Sequence, residues 1–167
     1  VRKIGNSVGT AHAGFVDLQF VNHDAMLYGA NVEGFMPLLT SPALGHVMLT
    51  GVAGYVHGEN ADTHVSLYHM MPLHGTVALK HQLGGWSTAI EVKMVAGKHN
   101  VDTVREELRT GAYALVNLRT RYEVGNLRFD LGVENLLDSY FEDPLGGHYL
   151  EPTMRPGAAR VDKGNVP

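Results

Sequence analysis

Residues 113–140 alternate between apolar and polar positions with a period of two. After a Gly125-Asn126 turn, four apolar residues alternate with three charged residues and a glycine: Leu127, Phe129, Leu131 and Val133 with Arg128, Asp130, Gly132 and Glu134. Residues 114–123 alternate in the same way, and glycine supplies the positive φ that a tight hairpin needs. Strands of about ten residues with one apolar and one charged face are typical of a transmembrane β-barrel around a wet lumen.

The same alternation recurs along the chain and predicts about seven strands. Pro37 is expected to end the second strand, and 42–45 and Gly84-Gly85 to form turns. The predicted strands are 14–21, 25–36, 46–57, 72–83, 88–99 and the two on either side of Gly125-Asn126.

The predicted connections alternate in length. Those after strands two, four and six are short, whereas those after three, five and seven have about a dozen residues, as in a barrel with tight turns at one rim and long loops at the other. The tight link at Asn22-His23 departs from this alternation. Residues 101–109 are expected to form a loop with at most a short helical piece, and 161–167 no strand.

Composition narrows the function classes. A net charge of −4 disfavours a nucleic-acid partner bound through phosphates. The absence of cysteine excludes disulfides and cysteine zinc sites. No apolar run approaches the roughly 18 residues of a membrane helix. The chain begins at Val1 without an initiator methionine or signal sequence, so we expect a fragment or a mature portion of a longer precursor.

Two segments resemble a known family. LGVENLLDSYF (131–141) resembles the GVxNLFDxxY segment near the C-terminus of TonB-dependent outer-membrane receptors, and NHDAMLYGANVEG (22–34) is similar to a strand of the same receptors. The resemblance covers about residues 14–149. Residues 156–160 also resemble the PGxGR stretch that precedes the final strand of the family.

The resemblance implies an all-β fold of antiparallel up-and-down strands, about seven strands of a plugged 22-stranded barrel. It implies uptake of a scarce ligand, usually an iron–siderophore complex, across the outer membrane of a Gram-negative bacterium. The implied partners are outer-membrane lipid, a ferric siderophore or similar small ligand, and the TonB complex, which acts through a plug. The plug and its TonB box are missing from this chain. We divide it into 1–12, a leading segment; 13–150, the barrel part; and 151–167, an irregular tail.

Candidate site residues fall into two groups. Polar side chains in the loops 58–69, 100–110 and 138–150 are expected to face the ligand: Asn60, Asp62, His64, Tyr68, His69, Arg105, Glu106, Arg109 and His148. Charged strand positions are expected to face the lumen, either contacting ligand or plug or pairing across strands as a wall lattice: Glu33, Glu91, Lys93, Arg119, Arg121, Arg128, Asp130 and Glu134.

Catalytic and metal chemistry are less well supported. The imidazole and thioether groups of His69-Met70-Met71 and His74 suit a soft metal such as copper. No spacing typical of metal ligands supports a site, however. We therefore interpret these residues as polar groups of strand edges and of the lumen. No GxSxG, GxGxxG or P-loop occurs, so we expect neither an enzyme nor a cofactor.

Two other classes stay open. One is a different outer-membrane barrel, such as a porin or an autotransporter translocator, which would have no plug. The other is a soluble β-sandwich acting as a binding module, in which Leu127, Phe129, Leu131 and Val133 would pack against a second sheet.

Overall fold

The computed structural model describes the backbone of residues 2–6, 16–19, 22–102, 107–146, 148–152 and 159–163, and the side chains of 22–102 and 107–146. The described residues form ten strands in three antiparallel sheets. The strands are β1 Arg2–Asn6, β2 Val16–Gln19, β3 Ala25–Ser41, β4 Gly45–Asn60, β5 His74–Leu83, β6 Trp86–Val95, β7 Tyr113–Val124, β8 Leu127–Val133, β9 His148–Pro152 and β10 Ala159–Lys163.

The main sheet contains six strands in the order β3-β4-β5-β6-β7-β8, each antiparallel to the next along the chain. This up-and-down order confirms the predicted fold class. Tight turns follow β3, β5 and β7, and Gly45, Gly84 and Gly125 adopt positive φ there. The connections after β4, β6 and β8 are longer, at 61–73, 96–112 and 134–147. The predicted alternation of short and long connections is therefore confirmed.

The cross-strand register aligns a row of large apolar residues from all six strands on one face of this sheet. Residues paired directly across neighbouring strands share a face, and one row across the sheet runs Met36, Leu49, Leu79, Ile90, Leu118 and Val133. Within β3–β8, Glu59 at the end of β4 is the only Asp, Glu, Lys or Arg on this face. We call it the apolar face.

The opposite face carries the charges, and we call it the polar face. Its acidic and basic strand residues are Glu33, Lys80, Glu91, Lys93, Arg119, Arg121, Glu123, Arg128 and Asp130, with Glu134 directly after β8. In β3–β8, the segregation of charge by face is thus nearly complete.

The apolar face has no covering layer in the described part of the chain. Val32, Leu127 and Leu131 are 67%, 63% and 67% exposed, and Phe129 and Val133 are exposed as well. The described buried apolar residues are few and small or medium-sized: Ala78, Val95 and Leu115, all on the polar face. A soluble sandwich would have packed these exposed side chains against a second sheet, so the packing favours the barrel prediction.

Aromatic side chains lie at both ends of the apolar face. Trp86 and Tyr122 are cross-strand neighbours near the tight turns, with ring centroids 4.5 Å apart, and Phe129 pairs with Tyr122. Tyr28 and Tyr55 lie near the long loops. About ten residues of strand separate the two bands, or ~33 Å along the strand. A strand tilt of ~40° reduces this to about 25 Å, the height of the apolar band of outer-membrane barrels.

The prediction that Pro37 ends a strand is wrong. β3 continues to Ser41, and the register with β4 shifts between Pro37 and Leu39. The physical reason is that β3 pairs only with β4 among the described strands, so it is an edge strand there. Edge strands and bulges tolerate the missing proline N–H.

The chain termini also differ from prediction. Within the predicted strand 14–21, the structure describes residues 16–19 as β2, which pairs with β1; among the described residues β2 does not pair with β3 in the expected hairpin through Asn22-His23. The view that 161–167 holds no strand is wrong for 161–163, which lie in β10. Antiparallel pairing with β9 supplies the backbone hydrogen bonds of β10, and β9 itself begins inside the predicted third loop.

Helices contribute little to the described structure. No helix among the described residues is long and apolar enough to cross a bilayer. The short helical piece allowed at 101–109 lies partly outside the described residues, because 103–106 are not described.

Arginine substitutions at adjacent positions of β4 test which face meets lipid. Leu49→Arg places a charge in the middle of the apolar face, and we expect it to destabilise the protein folded in lipid vesicles by about 2–4 kcal/mol. Thr50→Arg is the matched control, because Thr50 lines a cavity on the polar face together with Glu33 and Glu91. Urea unfolding in vesicles measures both, and equal costs would contradict the assignment of the faces.

Candidate functional site

The three long connections meet at one rim of the sheet, because they join the same ends of successive antiparallel strands. Lys98 Nζ donates to Glu107 Oε1 at 2.6 Å and to the Pro144 carbonyl at 3.0 Å. Glu107 Oε1 also accepts the His69 backbone N–H at 2.9 Å, and Oε2 accepts that of Asp102 at 2.8 Å. These groups, which we call the loop clasp, join all three connections.

The charged groups of the loop clasp are buried. The side chains of Lys98 and Glu107 are 2% and 6% exposed. Burial raises the pKa of Glu107, but hydrogen bonds from Lys98, Asp102 and His69 outweigh it, and the pKa lies below its usual value of 4.5. An ion pair removed from water in this way is stable only while both partners and the surrounding hydrogen bonds are present.

The first connection is ordered by its own polar residues. Asn60 Oδ1 accepts the backbone N–H groups of Asp62 and Thr63, both at 2.9 Å. Asp62 Oδ2 lies 2.8 Å from His23 Nδ1. His64 adopts a positive φ of 53° and its side chain is largely exposed. Among these predicted ligand-facing residues, His64 offers the most accessible side chain.

The remaining loop candidates have different surroundings. His69 has a positive φ of 61°, and its ring stacks on Tyr68 with centroids 4.1 Å apart. Arg109 is exposed. Arg105 and Glu106 lie outside the described residues, and His148 lies in β9, where side chains are not described.

The polar face carries an ion-pair lattice. Arg119 donates to Glu91 at 3.1 Å and to Glu134 at 3.0 Å. Asp130 accepts from Arg121 at 2.8 Å and from Arg128 at 2.6 Å. Six of the eight predicted lumen residues therefore pair with one another across or along strands. Because these groups are exposed, the pairs orient the side chains more than they stabilise the sheet.

Four charged side chains of the polar face stand outside this lattice. No ion pair to Glu33, Lys80, Lys93 or Glu123 occurs within the part of the chain that the structure describes. Glu33 and Lys80 line a cavity of about 720 Å³ together with Glu91. These groups are available to a partner on this face.

The segment that carries the family resemblance ends β8 in a hydrogen-bonded turn. Asn135 and Asp138 adopt positive φ values of 51° and 49°. Asn135 accepts the Ser139 N–H and donates to the Ser139 carbonyl. Its backbone N–H donates to Asn117 Oδ1. Asn and Asp tolerate this conformation better than most residues, which explains their use here.

Sequence reasoning missed the central pair of this site. Lys98 is a lone lysine inside a predicted strand, and Glu107 lies next to the chosen Glu106 with no distinguishing pattern. Their partnership depends on how the connection 96–112 folds back on itself. No group of three or more His, Asp or Glu side chains suited to a metal ion occurs in the described residues.

Strand order, facial segregation of charge and rim loops together define part of the wall of an antiparallel β-barrel. No protein-family model and no curated protein matches the chain. Among solved structures, it is similar to one titled "Copper transporter OprC", with a TM-score of 0.71 and 20% sequence identity. The match covers 87% of this chain and 22% of that chain. The likeness shows the fold, and the chain spans about a fifth of that protein's length.

Separating the charges of the loop clasp tests its contribution. Lys98→Met leaves a buried carboxylate unpaired, and we expect a loss of about 3–5 kcal/mol in the free energy of loop opening. The double variant Lys98→Met/Glu107→Gln should recover part of that loss, because it removes the unpaired charge and keeps an oxygen that accepts from a backbone N–H. Limited proteolysis of the loops measures the effect. The exposed His23–Asp62 pair is the control, since Asp62→Asn should cost less than about 1 kcal/mol.

The loop clasp should also weaken in acid. A carboxyl whose pKa is lowered by folding contributes stability above its unfolded value, and that contribution is lost as pH falls through the lowered pKa. For Glu107, this stabilisation is complete above pH 4.5, and it is lost as the pH falls below that value and through the lowered pKa. Hydrogen exchange of the His69 and Asp102 amides between pH 7 and pH 3 measures the change. A Glu107→Gln variant that kept the same pH dependence would contradict this assignment.

Proposed function

We propose that the chain is part of the barrel of a TonB-dependent receptor in the outer membrane of a Gram-negative bacterium, and that the receptor takes up a scarce ligand. The observation that carries the proposal is the division of β3–β8 into an apolar and a polar face. Residues 131–141, which include Asn135 and Asp138, add the resemblance to the receptor family. In this proposal, residues 13–150 form the barrel part.

The arrangement suggests how each part works. The apolar face contacts lipid acyl chains, since each charge there would cost several kcal/mol. The polar face lines the aqueous bore, where Glu33, Lys80 and Lys93 are available to the plug or to a passing ligand. The rim loops, held by the loop clasp, capture the ligand from outside. The TonB complex then drives the plug to rearrange.

The cargo has two candidates. The family resemblance favours a ferric siderophore. A copper ion is the second candidate, because the similar solved structure is titled a copper transporter and because methionine and histidine side chains lie in the first long connection and beside it. A porin or an autotransporter translocator is the remaining alternative, and neither would require TonB.

Growth and uptake assays test the proposal. The native gene, with any plug-encoding segment upstream of Val1, is expressed in a Gram-negative strain that lacks its own receptors. We expect the product in the outer-membrane fraction and energy-dependent uptake that is lost in an isogenic tonB deletion. Ferric siderophores and copper are supplied separately as cargo. Uptake that persists without TonB would overturn the receptor assignment in favour of a porin.

A further inference from the structure

A cavity of about 200 Å³ lies beside the loop clasp, where the end of β4 meets the first two long connections. Its lining includes the side chains of Met70 and Met71 and the adjacent residues Gly97, Lys98 and His99. Such a space has room for an ion and several waters, since one water occupies about 30 Å³.

The sulfur of Met70 lies against Gly58, a glycine that also lines the cavity. A Cβ atom placed on Gly58 would lie 2.8 Å from Met70 Sδ, closer than such atoms approach. Gly58 and Met70 both line the cavity. The sulfur therefore occupies space that only a glycine at position 58 leaves open.

The imidazole of His99 also lies close to a glycine of the cavity wall. A Cβ atom placed on Gly97 would lie 3.1 Å from His99 Nε2, and both residues line the cavity. No hydrogen bond to the His99 imidazole occurs within the described part of the chain. A thioether and an imidazole nitrogen are thus available at one cavity, with a second thioether, Met71, in its wall.

The other histidines nearby have different surroundings. His57 also lines the cavity, but its ring lies 5.1 Å from the Tyr28 ring and its Nε2 lies 3.8 Å from Glu59 Oε2. His69 and His74 are not among the residues that line the cavity. Of the histidines that the sequence grouped with the two methionines, neither lies in the wall of this cavity, and His99 takes their place in the grouping.

The loop clasp fixes the backbone that leads to the methionines. His69, directly before Met70, adopts a positive φ, a conformation that costs a residue with a Cβ about 1–3 kcal/mol. Glu107 holds it by accepting its N–H. Lys98 also lines the cavity, but its charge is neutralised by Glu107 at 2.6 Å, so it does not repel a cation.

We infer that this cavity binds a soft monovalent metal ion, Cu(I), through Met70, Met71 and His99. Neutral thioethers select Cu(I) over harder cations, and imidazole suits copper as well. The inference deepens the proposed function by naming the cargo class of the rim loops, and only its role in uptake rests on that proposal. Metal binding itself does not depend on transport.

Competition titration tests the site. The full protein, purified in detergent from its native gene, is titrated with Cu(I) under ascorbate against a chromophoric Cu(I) chelator, and with Ag(I) by calorimetry. We expect tight binding that Met70→Leu/Met71→Leu weakens about 100-fold or more. His99→Asn should weaken it about 10-fold. Met→Leu conserves volume, so the fold should be retained, as circular dichroism would verify.

Met36→Leu is the matched control, because Met36 lies on the apolar face beside Leu49, away from the loop rim, and the affinity of this variant for Cu(I) should equal that of the wild type. Wild-type protein without Cu(I) affinity, or a double variant that binds as tightly as the wild type, would overturn the inference.

A transport measurement separates this inference from the proposed function. If TonB-dependent uptake fails while the methionine-dependent affinity persists, the receptor proposal falls and the metal site stands. If TonB-dependent uptake of a ferric siderophore proceeds and no methionine-dependent Cu(I) affinity is found, the receptor proposal stands and the metal site falls.

Discussion

In the proposed membrane barrel, the high cost of placing an ionised side chain in hydrocarbon governs this structure. Every Asp, Glu, Lys and Arg of β3–β8 except Glu59 lies on one face, although the two faces alternate residue by residue. A register slip of one residue would move every charge of the slipped strand to the apolar face, three of them in the case of β7. The tight turns at Gly45, Gly84 and Gly125 therefore matter beyond chain reversal, because they fix the register on which the segregation depends.

The strands were predictable where the alternation of apolar and polar residues agreed with the position of turn-forming residues. The hairpin at Gly125-Asn126 and the lengths of successive connections followed from alternation and glycine placement. Pro37 was misjudged because proline argues against a strand only where its N–H is needed, and an edge strand with a bulge does not need it. Pairing of β2 with β1 was not predictable, because alternation identifies a strand but not its partner.

The site was less predictable than the fold. The lumen candidates share one face because successive residues of a strand point to opposite faces, and this alternation can be read from the sequence. The loop clasp and the cavity depend instead on how three irregular connections meet. Lys98 and Glu107 are nine residues apart in the chain and lie in a loop without periodicity. Likewise, the partners of Met70 became apparent only through the space left by Gly58.

The β3–β4 hairpin extends beyond its neighbours at the loop rim. Pairing of β4 with β5 ends at Gly54–His74, whereas β4 continues to Asn60 and the first long connection folds back along it, with Glu59 bridged to Ser66. In the proposed orientation, this extension stands above the aromatic band, on the cell exterior. Oxidants that cannot cross the outer membrane would then reach Met70. Extracellular oxidative stress would convert its thioether to a sulfoxide and abolish the proposed binding of Cu(I).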